Sequence, residues 1–395
     1  MKIIFIVLDG LADAIWPSPL FLAEKPNISN ILSKAFVGKI YPLTKNYWPK
    51  SGSASVSGLA NLGLLGYKVR PEKIKRGVLE AIGSDVPFRN GWLAIRFDFG
   101  TVDEDLKVID RRAGRETFGL DNLISSIRKI KFEIPFFIKR TYGHRGVILF
   151  KQKLSPYISD SDPFSAGKKV KKIRNLKNDP LSKKTGEIVQ KFLDLAYEIL
   201  KNHPVNELRK QKGFLPANYL LTREAGNKIL KLKPFSQKYG FKKCVAIAEN
   251  GVMSGTCKLA GFELLKLPEI HELEKMWQKI SLLLKKAYSL SDFIYIHFKE
   301  LDEASHDKNP ERKKIIFEKF DAWFGKEIKK YKEAKWIITG DHITDSRTGK
   351  HKFGPVPLLI YPSQRPNNVK SFDEKIVKKL DPIDPHKLWL SIKVY

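Results

Sequence analysis

Three strand-like runs constrain what this chain can fold into: Ile3-Ile4-Phe5-Ile6-Val7-Leu8, Asp292-Phe293-Ile294-Tyr295-Ile296-His297-Phe298 and Trp336-Ile337-Ile338-Thr339-Gly340. Each is mostly apolar, and each runs toward an acidic residue, the second and third toward histidine as well. The first ends in Asp9-Gly10, the second leads to Asp302 and His306, and the third to Asp341-His342. Runs of this kind read as buried strands. Helical patterns lie between them. At 186–202, Ile188, Phe192, Leu195, Ala196 and Leu200 share one face; 268–287 is amphipathic, and 311–330 reads as a charged helix. Strands alternating with helices predict an α/β fold, a mostly parallel sheet flanked by helices. Open sheets of that type place ligands at the carboxyl ends of their strands. The Asp and His residues are therefore expected to converge on one edge.

Between 85 and 180 the rhythm changes. Trp92–Phe99 alternates like sheet, and 143–150 reads as a further strand. This block is expected to be an inserted smaller α+β domain, with 1–84 and 181–395 forming the sheet-based domain around it. A chain of 395 residues is long enough for two cores. Its 42% hydrophobic content excludes a disordered chain. No apolar run approaches the length of a membrane span, so no membrane partner is expected. Cys244 and Cys257 are the only cysteines, which implies no disulfide framework and fits a cytoplasmic setting. The formal charge is +29. Basic residues are dispersed, apart from the dense run at 167–174 in a polar stretch, 165–185, that reads as loop or linker. That run lacks the interleaved aromatics of a single-strand binding platform, so a nucleic-acid partner is not supported.

Asp302 and His306 are spaced i, i+4, which puts both on one face of a helix. Asp341 and His342 follow a strand, and His351 lies just beyond. Imidazole with carboxylate suits Zn²⁺ or Mn²⁺ better than a thiophilic metal. Five candidate ligands exceed what one tetrahedral ion needs, which leaves room for a second ion. Taken singly, each residue has a plainer reading. Asp9 could be a turn residue, Asp302 and His306 a surface ion pair, His342 a core histidine, and His351 a solvated one. Asp9 ends a buried strand, where a bare carboxylate is costly unless paired or bound to a metal. Ser57 precedes an apolar helical stretch and is either its N-cap or a nucleophile; Ser53 and Ser55 are the fallback nucleophiles. Arg111, Arg112 and Arg115, and likewise His144-Arg145, read either as solvated groups or as a clamp for phosphate or carboxylate.

The order and spacing of several segments carry a family resemblance. They include Val7-Leu8-Asp9-Gly10, Leu62-Gly63-Leu64-Leu65-Gly66-Tyr67 and Arg76-Gly77-Val78-Leu79-Glu80-Ala81-Ile82-Gly83. Asp110-Arg111-Arg112-Ala113-Gly114-Arg115, Ser159-Asp160-Ser161-Asp162-Pro163, Asp302-Glu303-Ala304-Ser305-His306 and Thr339-Gly340-Asp341-His342 follow. The chain resembles the archaeal-type cofactor-independent phosphoglycerate mutases of the alkaline phosphatase superfamily. The resemblance implies an alkaline-phosphatase-like sheet and two divalent ions, Mn²⁺ first, with Mg²⁺, Zn²⁺ or Co²⁺ as alternatives. Asp9, Ser57, Asp341 and His342 would hold one ion, and Asp302, His306 and His351 the other. Ser57 would accept the phosphoryl group. Arg111, Arg112, Arg115, His144 and Arg145 would hold the glycerate of a phosphoglycerate substrate.

The sequence also departs from that family. Gly58 and Asn61 stand where an acidic residue and a histidine are usual. Phe164 replaces a histidine after Asp162-Pro163, and Ser254 replaces a lysine. The expected function is interconversion of 3-phosphoglycerate and 2-phosphoglycerate. A diverged phosphohydrolase or phosphomutase acting on another small phosphorylated metabolite is the second reading.

Overall fold

The computed structural model describes residues 1–49 and 56–392. Ser53 and Ser55 therefore lie outside the described residues. The chain divides into two compact units. One comprises Met1–Lys73, Leu232–Glu249 and Thr256–Tyr395; the other comprises Ile74–Lys231 and Asn250–Gly255.

The first unit is built on an eight-stranded sheet. Its spatial order is Pro382–Ile383, Phe36–Ile40, Val356–Tyr361, Ala334–Gly340, Lys2–Leu8, Phe293–Phe298, Cys244–Glu249 and Glu263–Leu267. Among the described residues five of the seven pairings are parallel, and the two around Val356–Tyr361 are antiparallel. The expected mostly parallel α/β sheet is what forms. The three runs that defined the sequence lie side by side at its centre, with Leu8 opposite both Phe298 and Gly340. Their carboxyl ends therefore open on one edge.

Alternation along the central strand covers both faces of this sheet. Ile4, Ile6 and Leu8 join a core with Ile316, Phe317, Phe320, Trp323 and Phe324 of the helix Pro310–Lys330. That helix starts where it does because Asn309 accepts a hydrogen bond from the Arg312 N–H and Pro310 occupies the first turn. Phe5 points the other way, its ring 5.0 Å from Trp389 of the helix Pro385–Ser391. Among the described residues no helix is long and apolar enough to cross a membrane.

The second unit is the smaller α+β body, but its limits differ from the expected 85–180. Strand Trp92–Val102 pairs antiparallel with Arg145–Lys153 and also with Tyr219–Gly226, Phe97 lying opposite Thr222. The helix Pro180–Lys201 places Ile188, Val189, Phe192, Leu193, Ala196 and Leu200 in the same core as Phe97, Phe150 and Leu123. Residues 181–231 thus cannot belong to the first sheet. Their strand is needed to complete the second one. The expected linker at 165–185 is also tied down, with the Gly167 N–H bonded to the Val108 carbonyl at 2.8 Å and the Val170 N–H to that of Leu106 at 2.9 Å.

Candidate metal centre

The turn after the central strand sets the site. Gly10 has φ +65°, and a Cβ there would stand 2.8 Å from Thr344 Oγ1 and 3.0 Å from the Asp302 Cα, so glycine is required both for the backbone and for the space. The Gly10 N–H donates to Asp341 Oδ1 at 3.0 Å. This fixes the carboxylate at the end of Ala334–Gly340 against the end of Lys2–Leu8. Asp9, Asp302, Asp341 and His342 are all buried.

His342 stands between two groups of ligands. Its Nε2 is 3.1 Å from Asp9 Oδ1, 3.5 Å from Asp341 Oδ2 and 3.2 Å from Ser57 Oγ. Its ring also stacks on that of His351, with centroids 4.0 Å apart. Asp302 Oδ1 lies 3.3 Å from His351 Nε2, and its Oδ2 lies 3.2 Å from His306 Nε2. The helix Glu300–His306 supplies both Asp302 and His306, at the spacing the sequence showed. The His306 Nδ1–H faces the Gly349 carbonyl at 2.7 Å, which leaves Nε2 for the cluster. All seven residues expected from sequence, Asp9, Ser57, Asp302, His306, Asp341, His342 and His351, are brought together.

Two sets of potential ligand atoms lie within one ion's reach. One set is Asp302, His342 and His351; the other is Asp9, His297 and Asp341. His297 was not singled out from the sequence. Its signal was a histidine inside an otherwise apolar buried strand. Glu249 and Thr344 were missed as well, because each shows its importance only through a partner distant in sequence.

The electrostatics of the cluster fit a divalent cation. Burial, and then the neighbouring Asp9, push the Asp341 carboxyl up to about 8. Burial opposes charge on His342, but Asp341 and Asp9 outweigh it and raise the imidazole to about 9. His297 behaves alike, raised to about 9 against its burial by Glu249 and then Asp9. Asp302 is held well below the usual carboxylate range, since His306 and His351 overcome its burial. His351 is pushed down to about 4 by burial and by His342. Protons thus gather on Asp341, His342 and His297, where a divalent ion would take over the neutralisation of the crowded carboxylates. Asp9 Oδ1 and His297 Nε2 have no aligned hydrogen-bond partner among the described residues. The donor set, imidazole nitrogen and carboxylate oxygen, suits a divalent first-row ion.

Relatives place the chain in a family. Residues 45–206 match the family model described as 2,3-bisphosphoglycerate-independent phosphoglycerate mutase. The chain is 34% identical over 393 residues to 2,3-bisphosphoglycerate-independent phosphoglycerate mutase 1 of Methanocaldococcus jannaschii, covering 94% of this chain and 91% of that protein. The chain belongs to the 2,3-bisphosphoglycerate-independent phosphoglycerate mutase family. Its counterpart in Archaeoglobus fulgidus is 33% identical over 387 residues, covering 95% of this chain and 92% of that one. Among solved structures, the cofactor-independent phosphoglycerate mutase from Thermoplasma acidophilum matches with TM-score 0.58 at 28% identity, covering 99% and 98% of the two chains. A Pyrococcus horikoshii protein matches with TM-score 0.72 at 26% identity, covering 98% and 95%.

In this member of the mutase family, Asn61 is fully built into the first unit. Its Nδ2 donates to Asp341 Oδ2 at 3.1 Å and to the Ser57 carbonyl at 2.8 Å, while the Tyr295 hydroxyl donates to its Oδ1. Asn61 thus orients a candidate ligand and the backbone of the candidate nucleophile Ser57.

The second unit gathers the arginines. Arg111 grips Asp162 through Nε at 2.9 Å and Nη2 at 2.6 Å. His144 is buried, 3.8 Å from Asp98. Arg145 opens the strand Arg145–Lys153, and half-buried Arg112 and Arg115 bound a turn with Gly114 at φ +69°. Arg76, Arg96 and Arg223 also belong here and were missed. Arg96 pairs with Asp98 at 3.0 Å, Arg223 with Asp98 and with Asp162 at 3.2 Å, and Arg76 with Glu224 at 3.2 Å. Burial lowers Arg76 and Arg96 to about 10. Arg96 lies in the apolar alternation of Trp92–Phe99, where a buried cation demands a partner. Phe164 lies beneath the guanidinium groups of Arg111 and Arg223, 5.5 and 5.8 Å from its ring centroid. Ser254 is buried.

Proposed function

We propose that this chain interconverts 3-phosphoglycerate and 2-phosphoglycerate through a phosphoserine formed on Ser57. The observation that carries the reading is the convergence of three strand ends and one helix on a buried carboxylate–imidazole cluster with Ser57 Oγ 3.2 Å from His342 Nε2. Asp9, Asp341 and His342 would bind one divalent ion with Ser57, and Asp302, His306 and His351 a second. Mn²⁺ is favoured, with Mg²⁺, Zn²⁺ and Co²⁺ as alternatives. Such ions lower the pKa of a serine hydroxyl and neutralise phosphoryl oxygens in flight.

The chain's own residues do the rest. Ser57 Oγ gives up its proton and attacks the phosphorus, the bond from C3 oxygen to phosphorus breaks, and the freed C3 oxygen takes up the proton that Ser57 released. The glycerate then presents its 2-hydroxyl. That oxygen accepts the phosphoryl group, loses its proton and regenerates Ser57. Arg111, Arg112, Arg115, His144 and Arg145 are assigned to the glycerate carboxylate and hydroxyls, where guanidinium forks give bidentate contacts.

A coupled assay with 3-phosphoglycerate and Mn²⁺, run beside measurement of released inorganic phosphate, tests this. The expected result is 2-phosphoglycerate formation without phosphate release, reduced by at least about a thousandfold in Ser57→Ala. Turnover unchanged in Ser57→Ala would overturn the assignment of the nucleophile. Ser254, uncharged where the family pattern has a lysine, favours one second reading, a phosphohydrolase using the same serine. Phosphate release without isomerisation would establish it.

A further inference from the structure

His297 and Glu249 carry an assignment that goes beyond the expected ligands, although it rests on the metal-dependent reading above. Both lie in the first unit at the same sheet edge. Glu249 closes the strand Cys244–Glu249, and His297 sits one residue from the end of the neighbouring parallel strand Phe293–Phe298. On its other side His297 is level with Val7, two residues before Asp9. The ring is 1% exposed.

Its two nitrogens have different surroundings. Nδ1 is 3.0 Å from Glu249 Oε2. Nε2 points toward Asp9 Oδ2 at 3.6 Å and has no hydrogen-bond partner among the described residues. That separation is too long for a sound hydrogen bond. It fits two ligands of one ion. Atoms held about 2.1 Å from a shared ion, at tetrahedral or octahedral angles, stand roughly 3–3.5 Å apart. Asp341 completes the group, the three ligand atoms lying within 4.8 Å of one another. A carboxylate that accepts from Nδ1–H fixes the tautomer and leaves the Nε2 lone pair free, a common arrangement around histidine ligands.

We propose that His297 Nε2 is a ligand of the ion held by Asp9 and Asp341, and that Glu249 is the positioning residue that aims it. A purely structural histidine would satisfy Nε2 within the protein. This one leaves a buried nitrogen facing two carboxylates. His342 remains within reach of that ion, its Nε2 3.1 Å from Asp9 Oδ1, while its ring stacks on His351 of the other set.

The test is a direct count of bound ions. Full-length protein stripped with chelator is titrated with Mn²⁺, following free Mn²⁺ by paramagnetic resonance. Wild type is expected to bind two ions per chain. His297→Leu should lose one ion or bind it at least about a hundredfold more weakly, and Glu249→Gln should weaken the same ion by about tenfold or more. Asp302→Asn should affect the other ion. If His297→Leu does not fold, Glu249→Gln decides the matter, since it keeps size and hydrogen-bonding capacity. Wild-type stoichiometry and affinity in both His297→Leu and Glu249→Gln, with loss in Asp302→Asn, would overturn the role of His297 alone. Unchanged binding in all three variants would overturn the metal-dependent reading as well.

Discussion

The two charged clusters of this protein are built on opposite plans. In the first unit, carboxylates and imidazoles crowd together and leave Asp9 Oδ1 and His297 Nε2 without aligned partners. In the second, Arg76, Arg96, Arg111 and Arg223 each face a carboxylate: Arg96 and Arg223 share Asp98, Arg111 and Arg223 share Asp162, and Arg76 faces Glu224. The first cluster has excess anionic ligand capacity and calls for a cation from outside. The second balances its charges internally. Its carboxylates fix the arginine forks in place, so the forks are already ordered before an anion arrives. The difference predicts that removing a carboxylate will act on metal binding in one cluster and on stability in the other.

The largest effect on stability belongs to Asp98. It is 2% exposed and serves two guanidinium groups, with His144 3.8 Å away. Asp98→Asn removes the charge but leaves the cations buried. Breaking a buried pair in this way costs about 3–5 kcal/mol. Urea unfolding of the metal-free protein should show this loss. A midpoint shift of less than about 0.5 kcal/mol in equivalent stability would mean that water or neighbouring acids already screen these arginines.

A smaller effect should single out the first cluster. The Thr344 hydroxyl donates to Asp302 Oδ1 at 2.8 Å and sits 3.0 Å from His342 Nδ1. It can accept from Nδ1–H, which leaves His342 Nε2 free to ligate and ties the two ligand sets together. Thr344→Val keeps the shape and removes both bonds. Mn²⁺ affinity should fall by about tenfold, while Thr344→Ser should recover most of it. Equal affinities in the valine and wild-type proteins would show that His342 is oriented by packing alone.

Much of this contrast was legible in the sequence, though not all of it. The parallel sheet followed from apolar runs alternating with amphipathic helices, because burial on both faces demands that pattern. Asp302 and His306 were readable as a pair because helical spacing is local. So were Asp341 and His342, at the end of one strand. His297 was hidden by its own strand. A histidine flanked by Ile296 and Phe298 looks like core until Glu249 and Asp9 are seen beside it. The limits of the second unit failed for a similar reason. Helix Pro180–Lys201 followed by strand Tyr219–Gly226 has the local pattern of the first unit, and only the long-range pairing with Trp92–Val102 assigns it elsewhere. Arg96, Arg223 and Asp162 are separated by dozens of residues, so no local spacing announces their mutual neutralisation.

The smallest effect concerns Asp160, an acid of the second unit held by a backbone N–H. Asp160 Oδ1 accepts from the Glu224 N–H at 2.8 Å. Burial, reinforced by the nearby Glu224 and Asp162 charges, raises its carboxyl to about 6 despite that bond. The folded state therefore holds this proton more tightly than the unfolded chain does. Its contribution to stability is fully present below about pH 4 and is lost as pH rises from there to about 6. Above that window the ionised carboxylate is a constant penalty. Asp160→Asn keeps the acceptor oxygen and cannot ionise. It should stabilise the protein at pH 7 by roughly 1–2 kcal/mol, discounted from the full shift for partial exposure, and should have almost no effect at pH 4. Urea midpoints of both proteins at the two pH values measure this. A destabilised variant at pH 7 would mean that the surroundings of Asp160 favour its ionised form, and the contrast between this acid and the arginine-paired Asp98 and Asp162 would disappear.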